Sequence, residues 1–163
     1  MVIRDEQPHE AGAIRELVLR AFASARHSSG TEWQIVDQLR QGDALTISLV
    51  ALQAEQIVAH VAVSPVAISG FQGWFGLGPV AVEPRLQRKG IGSTMIREAL
   101  GRLRKSGAGG CVVLGDPEYY RKFGFDYYPE LTYRAVPPPY FQALQFSGER
   151  PSGAVDYHPA FQN

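Results

Sequence analysis

The chain has 163 residues, enough for one domain spanning 1–163 and for burying about 68–70% of its unfolded surface. Lys plus Arg and Asp plus Glu number 16 each, so the net charge is zero with neutral histidine. That balance excludes broad attraction to nucleic acid or to a membrane, and it requires any charged ligand to be met by a local site. The single cysteine, Cys111, excludes a disulfide framework and a thiolate metal site, and no His, Cys, Asp or Glu spacing suits a metal. The start, MVIRDEQPHE, lacks a signal-peptide pattern, and the longest largely apolar stretch, 57–68, is interrupted by His60, Ser64 and Pro65. A cytoplasmic protein is the expectation.

In chain order, Val2 to Arg4 suits a short first strand. From His9 to about Ala25, Ile14, Leu17, Val18, Ala21 and Phe22 recur at helical spacing, and Trp33, Ile35, Val36 and Leu39 do so over Thr31 to Gln41. Strand-like runs follow at Thr46 to Ala54, Ile57 to Ser69 and Trp74 to Val82, separated by turn signals, and they predict a meander of three strands. After Gly92 the helical period returns with Met95, Ile96, Ala99, Leu100 and Leu103 and stops near Ser106-Gly107. Gly110 to Gly115 reads as a buried strand. Asp116-Pro117 then pairs a capping aspartate with a proline suited to the first helical position, opening a short helix that ends near Gly124. Two late strands are expected, around Tyr140 to Phe146 and Gly153 to Tyr157. The pattern is that of an α/β domain of the α+β, mixed-sheet kind, antiparallel in its first half and strand-helix-strand in its second.

The stretch LQRKGIGST, 86–94, lies between the third meander strand and the following helix. Backbone N–H groups around Arg88 to Gly92 can converge there, with the helix N-terminus adding positive potential. Gly90 and Gly92 allow close approach of a ligand, and Gln87, Arg88 and Lys89 supply donors and charge. A P-loop requires lysine after its last glycine, whereas Gly92 precedes Ser93-Thr94; a dinucleotide fingerprint requires Gly or Ala where Met95 stands. A plain glycine-bearing strand-to-helix turn is the architectural alternative.

The segment GPVAVEPRLQRKGIGSTMI resembles the acyl-CoA signature of the GNAT superfamily of N-acetyltransferases, with Gln87, Gly90 and Gly92 at the defined positions of [QR]-x-x-G-x-[GA]. YYRKFGF, 119–125, resembles the Y-x-x-x-G-F ending of the same superfamily, in order and at the expected distance. VLGDPEYYRKFGF and GAVDYHPAF are similar to the YhbS-like subgroup of acetyltransferases, so the likeness spans nearly the whole chain. The resemblance implies a central twisted mixed sheet of about six to seven strands flanked by helices. It also implies acetyl-CoA as cosubstrate, its pyrophosphate held by Gln87, Arg88, Lys89, Gly90, Ile91, Gly92 and Ser93. Where many members carry an asparagine about seven residues before the motif tyrosine, this chain has Val113.

The same resemblance lays the pantetheine arm along the strand ending at Val82, with backbone groups of Val80 and Val82 as its partners. Gly78 and Pro79 fit an opening of neighbouring strands there, or a plain strand irregularity. The N–H of Val82 is a candidate oxyanion donor. Tyr120 matches the motif tyrosine, as proton donor to the leaving thiolate or as packing against the cofactor, while Tyr119, Phe123 and Phe125 read as core. Glu32, at the start of the second helix, is the candidate general base; the helix dipole alone also explains an acidic residue there. Glu83 and His60 are lesser candidates, and His158 is expected to tie down the tail. The acceptor is an amine of unread identity, with no nucleic-acid or membrane partner, in a monomer or homodimer. A non-catalytic CoA-binding or sensing module is the alternative to the enzyme.

Overall fold

The computed structural model describes residues 1–25 and 28–162. Strand β1 (Val2–Asp5) is followed by helices α1 (Ala11–Phe22) and α2 (Glu32–Gln41), then by β2 (Ile47–Gln53), β3 (Gln56–Ile68) and β4 (Trp74–Val82). Helix α3 (Ile91–Lys105), β5 (Gly110–Leu114), the one-turn α4 (Pro117–Tyr120), β6 (Asp126–Tyr127), β7 (Leu131–Thr132), β8 (Phe141–Gln145) and β9 (Gly153–Tyr157) complete the order. Among the described residues the strands form one nine-stranded sheet, with the path β1-β2-β3-β4-β5-β8-β6 and β9 joining β3 to β7. The expected meander is β2 to β4, antiparallel throughout. The sheet exceeds the expected six to seven strands by β6 and β7, which are two residues long and carry no alternation to read. No helix among the described residues is long and apolar enough to cross a membrane.

Each helix forms where its apolar spacing gives one buried stripe. Ile14, Leu17 and Val18 of α1 and Val36 of α2 cluster with Val50 and Ala81 on one face of the sheet. Met95, Ile96, Ala99, Leu100 and Leu103 of α3 pack with Leu49, Val61 and Cys111 on the other, and full burial of each large apolar side chain contributes about 1.5–3 kcal/mol. A smaller aromatic cluster under β9 includes Trp74, Phe141 and Val155, with Tyr133 and Tyr157 packed against it. Gly110 leaves room for the Trp74 ring: a Cβ there would lie 2.3 Å from that ring and 2.6 Å from the Leu144 carbonyl.

One defect in the sheet matters more than the rest. β4 pairs with β5 only at Trp74, Gly76 and the residue between them, in parallel, and beyond that point the two strands part. The β3–β4 register runs from Val63↔Leu77 to Val61↔Val80, so β4 carries an extra residue at Gly78-Pro79. Gly78 has φ +126°, which L side chains rarely adopt, and Pro79 has no N–H to give a ladder. The bulge lets β4 peel away from β5 and leaves its last residues without a partner on that side.

Candidate functional site

The end of β4 and the loop before α3 form one wall of a groove of about 450 Å³. The Glu83 N–H donates to the Val58 carbonyl of β3 at 2.8 Å. Main-chain groups alternate along an antiparallel strand, so Ala81 also faces β3, and the N–H and C=O of Val80 and Val82 turn to the open side. Gln87 Nε2 donates to the Val82 carbonyl at 3.1 Å, folding the loop back on the strand.

The loop reaches α3 through two left-handed residues, Arg88 at φ +65° and Gly90 at φ +88°. At Gly90 this conformation carries no Cβ penalty; at Arg88 it stores about 1–3 kcal/mol, the kind of strain that binding loops hold. Thr94 is the first α3 residue whose N–H bonds back, to the Gly90 carbonyl at 3.1 Å. The N–H groups of Ile91, Gly92 and Ser93 are therefore the helix-end donors, and with the helix dipole they make a seat for an anion.

Val80, Val82, Gln87, Arg88, Gly90, Gly92, Ser93 and Tyr120 all line this groove. Two expected members fall elsewhere. The Ile91 side chain is buried in the α3 core because it occupies the helix's apolar stripe, so it offers the groove only its N–H. Lys89 is exposed and is not part of the wall, since the turn at Gly90 points it away. Sequence reasoning missed Tyr119 and Lys122. Tyr119 was expected as core; its ring packs there, but its hydroxyl hydrogen-bonds with Ser93 Oγ at 3.1 Å on the groove side. The Lys122 ammonium sits 4.2 Å from the Tyr119 ring centre, a cation–π contact at the groove edge. Their signal was the spacing of three between Tyr119 and Lys122, which puts them on one helical face.

Tyr120 stands at the mouth of the β4–β5 opening. The Asp116 side chain accepts from the Glu118 N–H at 2.9 Å, the expected cap, and starts the turn that delivers it. Its ring lies so close over Gly115 that a Cβ there would be 2.6 Å from Tyr120 Cε2, and Tyr119 and Phe125 meet it edge-on at 5.0 and 5.9 Å. Burial, with smaller contributions from Tyr119 and Cys111, pushes the Tyr120 hydroxyl up to about 12. It is a protonated donor at any ordinary pH.

On the far side of Tyr120 lies a second cavity, of about 320 Å³, and Val80 and Tyr120 line both spaces. Gly78, Pro79, Phe22, Tyr133, Tyr157 and Phe161 contribute to its wall, together with Glu32. Glu32 accepts from Ser28 Oγ at 2.8 Å and from the Ser29 N–H at 3.1 Å, so its carboxylate is held by the segment before α2. A longer contact from Ser29 Oγ at 3.5 Å completes the set, and at least one lone pair stays free on a group with about four.

The remaining candidates have other duties. Glu83 is forked to Arg20, with Nη2 donating to Oε2 at 2.8 Å, and this pairing holds its carboxyl below the usual range. The contact ties α1 to the end of β4. His158 Nδ1 accepts from the Ala160 N–H at 3.0 Å, anchoring the tail as expected. Cys111 is wholly buried, and desolvation pushes its thiol far up.

His60 is also wholly buried, its Nε2 2.8 Å from Ser48 Oγ, in a chain that continues through Glu6 to Arg40. Burial lowers its pKa to about 4, with Arg40 adding to the shift and Glu6 opposing it. The unfolded chain therefore binds this proton between about pH 6.5 and 4 while the native state does not, and stability is lost as the pH is lowered through that window. The loss from this group reaches about 3 kcal/mol at pH 4. Urea unfolding from pH 7.5 to 4.5 reads it, and a His60→Gln protein should show a visibly flatter slope.

The segment 2–128 matches the family model described as an acetyltransferase (GNAT) domain. This chain belongs to the GNAT acetyltransferase family. It is 33% identical to the uncharacterized N-acetyltransferase YhbS of Escherichia coli, over 99% of this chain and 98% of that protein. The crystal structure of YhbS in complex with CoA superposes with a TM-score of 0.89 at 33% identity, covering 99% of this chain and 92% of that one. A GNAT family acetyltransferase from Brucella melitensis, solved in complex with acetyl-CoA, is 47% identical with a TM-score of 0.87, covering 98% and 97% of the two chains. GNAT membership accounts for the expected mixed sheet and for the order of the loop and tyrosine motifs.

Proposed function

We propose that this chain, acting as one domain, is an acetyl-CoA-dependent N-acetyltransferase that passes the acetyl group to a primary amine by direct attack in a ternary complex. The observation that carries the reading is the meeting of two cavities at Val80 and Tyr120. One ends in an anion seat at the start of α3 and fits the pyrophosphate and pantetheine of acetyl-CoA; the other ends in Glu32 and fits an amine. The second cavity is also what favours an enzyme over a CoA-binding module without turnover. The relatives solved with acetyl-CoA and CoA support the choice of cosubstrate.

In this reading the pantetheine amides bond to the outward main-chain groups of Val80 and Val82 as an added strand would. The amine nitrogen attacks the thioester carbon, a C–N bond forms, and the carbonyl oxygen takes negative charge opposite the N–H of Val80, which lines both cavities, rather than that of Val82, which lines only the groove; the Val80 carbonyl and Val82 are left to the amides. Collapse breaks the C–S bond and gives the acetamide and the CoA thiolate, which takes its proton from solvent on release. Glu32 takes the amine proton directly or through one water, and Tyr120 donates to the sulfur. A free thiol has a pKa near 8.5, well below that of Tyr120, so full proton transfer is uphill unless burial raises the thiolate as well. Tyr120 therefore acts chiefly by hydrogen-bonding the charge that develops on sulfur.

Direct attack requires no acyl-enzyme, and Cys111, the one thiol, is buried among core residues. A Cys111→Ala protein is expected to keep kcat within about twofold, because a nucleophile has to be exposed and ionisable. Thiol release from acetyl-CoA in the presence of an amine panel tests the reading. Amine-dependent release by both proteins supports it; release lost in Cys111→Ala with acetyl-CoA still bound would replace direct attack by an acyl-cysteine route.

A further inference from the structure

We propose that the acceptor is a small monocationic primary amine on an aromatic or flat apolar body, seated against Phe22, Tyr133, Tyr157 and Phe161. The inference rests on the acetyl-transfer reading and adds the substrate class. Size is the first ground. The acceptor-side cavity, about 320 Å³, lies at the small end of the range for small-molecule sites.

The wall is the second ground. The Tyr133 and Tyr157 rings are 4.8 Å apart and tilted by 48°, and Tyr157 meets Phe161 at 4.9 Å and 64°. This continuous aromatic surface suits stacking by a flat body and cation–π contact by its ammonium. Charge is the third. Glu32 is the only charged side chain among the described residues lining the cavity, so one ammonium is met and a second is not. The Arg134 guanidinium lies 5.2 Å from the Tyr133 ring centre and adds positive charge beside the wall, against a polycation.

Tyr157 contributes its ring and not its hydroxyl: the ring is fixed over Gly76, where a Cβ would come within 2.7 Å of it, and the hydroxyl is buried away from the cavity.

The test uses the full chain with 2-phenylethylamine and tryptamine as arylalkylamines, spermidine as polycation, and a lysine tripeptide. Acetyl-CoA binding is first measured alone by calorimetry, which separates failure of the acetyl-transfer reading from failure of the acceptor class. The expected result is kcat/KM at least about tenfold higher for an arylalkylamine than for spermidine or the tripeptide. Tyr133→Leu, which removes one ring of the wall and keeps an apolar side chain, should raise the amine KM about fivefold and leave the acetyl-CoA Kd unchanged, as expected for one lost aromatic contact. Preference for spermidine or the peptide overturns the proposal and leaves acetyl transfer standing. So does a protein that binds acetyl-CoA while neither binding nor acetylating either arylalkylamine. Absence of acetyl-CoA binding overturns both.

Discussion

A Gly92→Asp protein is expected to fold as well as the natural chain and to bind acetyl-CoA about 100-fold more weakly or worse. Gly92 is the second residue of α3, and a Cβ there meets Val82 Cγ2 at 3.5 Å and the Tyr119 hydroxyl at 3.6 Å, both ordinary contacts. An aspartate in the first helical turn is favoured by the dipole by about 0.3–1 kcal/mol, and loss of a helix glycine adds a similar gain. The same carboxylate stands where the pyrophosphate is proposed to sit. Like charges about 4 Å apart repel by about 4 kcal/mol near a protein surface, which screening reduces but does not cancel. Stability and binding thus move in opposite directions. Thermal unfolding and calorimetry on one sample read both, and a Kd within about threefold of the natural chain would count against the anion seat.

The second large effect belongs to Tyr120→Phe. The ring keeps its packing against Gly115, Tyr119 and Phe125, so the fold and the acetyl-CoA KM should change little. Only the donor to the sulfur is removed, and kcat should fall about 100-fold, the low end for loss of one hydrogen bond to developing charge. The pH profile supplies an independent check. Tyr120 is needed in its protonated form, and burial holds its pKa up to about 12, so deprotonation removes activity only near that pH. Activity should rise as the acceptor amine loses its proton and should show no alkaline fall below about pH 11. An unchanged kcat, or a fall near pH 9 that disappears in the phenylalanine variant, would contradict this role.

Much of the architecture was legible because it rests on local rules. The apolar stripe of α3 and the Asp116-Pro117 start of α4 appear where spacing and capping place them. β9 spans the same residues, Gly153–Tyr157, as the sequence pattern predicts. What was not legible depends on tertiary contacts. β6 and β7 exist only because β8 and β9 pair with them. The loop motif located the anion seat but not the direction of each side chain: Ile91 turned to the core and Lys89 to solvent, since the left-handed turn at Gly90 divides them. The acceptor-side wall was the least readable part. Phe22, Tyr133, Tyr157 and Phe161 come from α1, the segment after β7, β9 and the tail, and no spacing in the chain announces that they meet. Glu32 was placed at that site by resemblance alone, and its bonds to Ser28 and Ser29 could not be foreseen from its position in the helix.

The central claim is that acetyl-CoA lies in the opening between β4 and β5 with its pyrophosphate at the start of α3. Titrating isotopically labelled protein with acetyl-CoA and following the backbone amides by NMR tests it most directly. The result expected is a contiguous set of shifts at Val80, Val82, Gln87 to Ser93 and Tyr119 to Lys122, with the hollow beside α1 and α2 at Val18, Leu19 and Trp33 unaffected. Shifts centred on that hollow instead, or no shifts in a folded protein at millimolar acetyl-CoA, would contradict it.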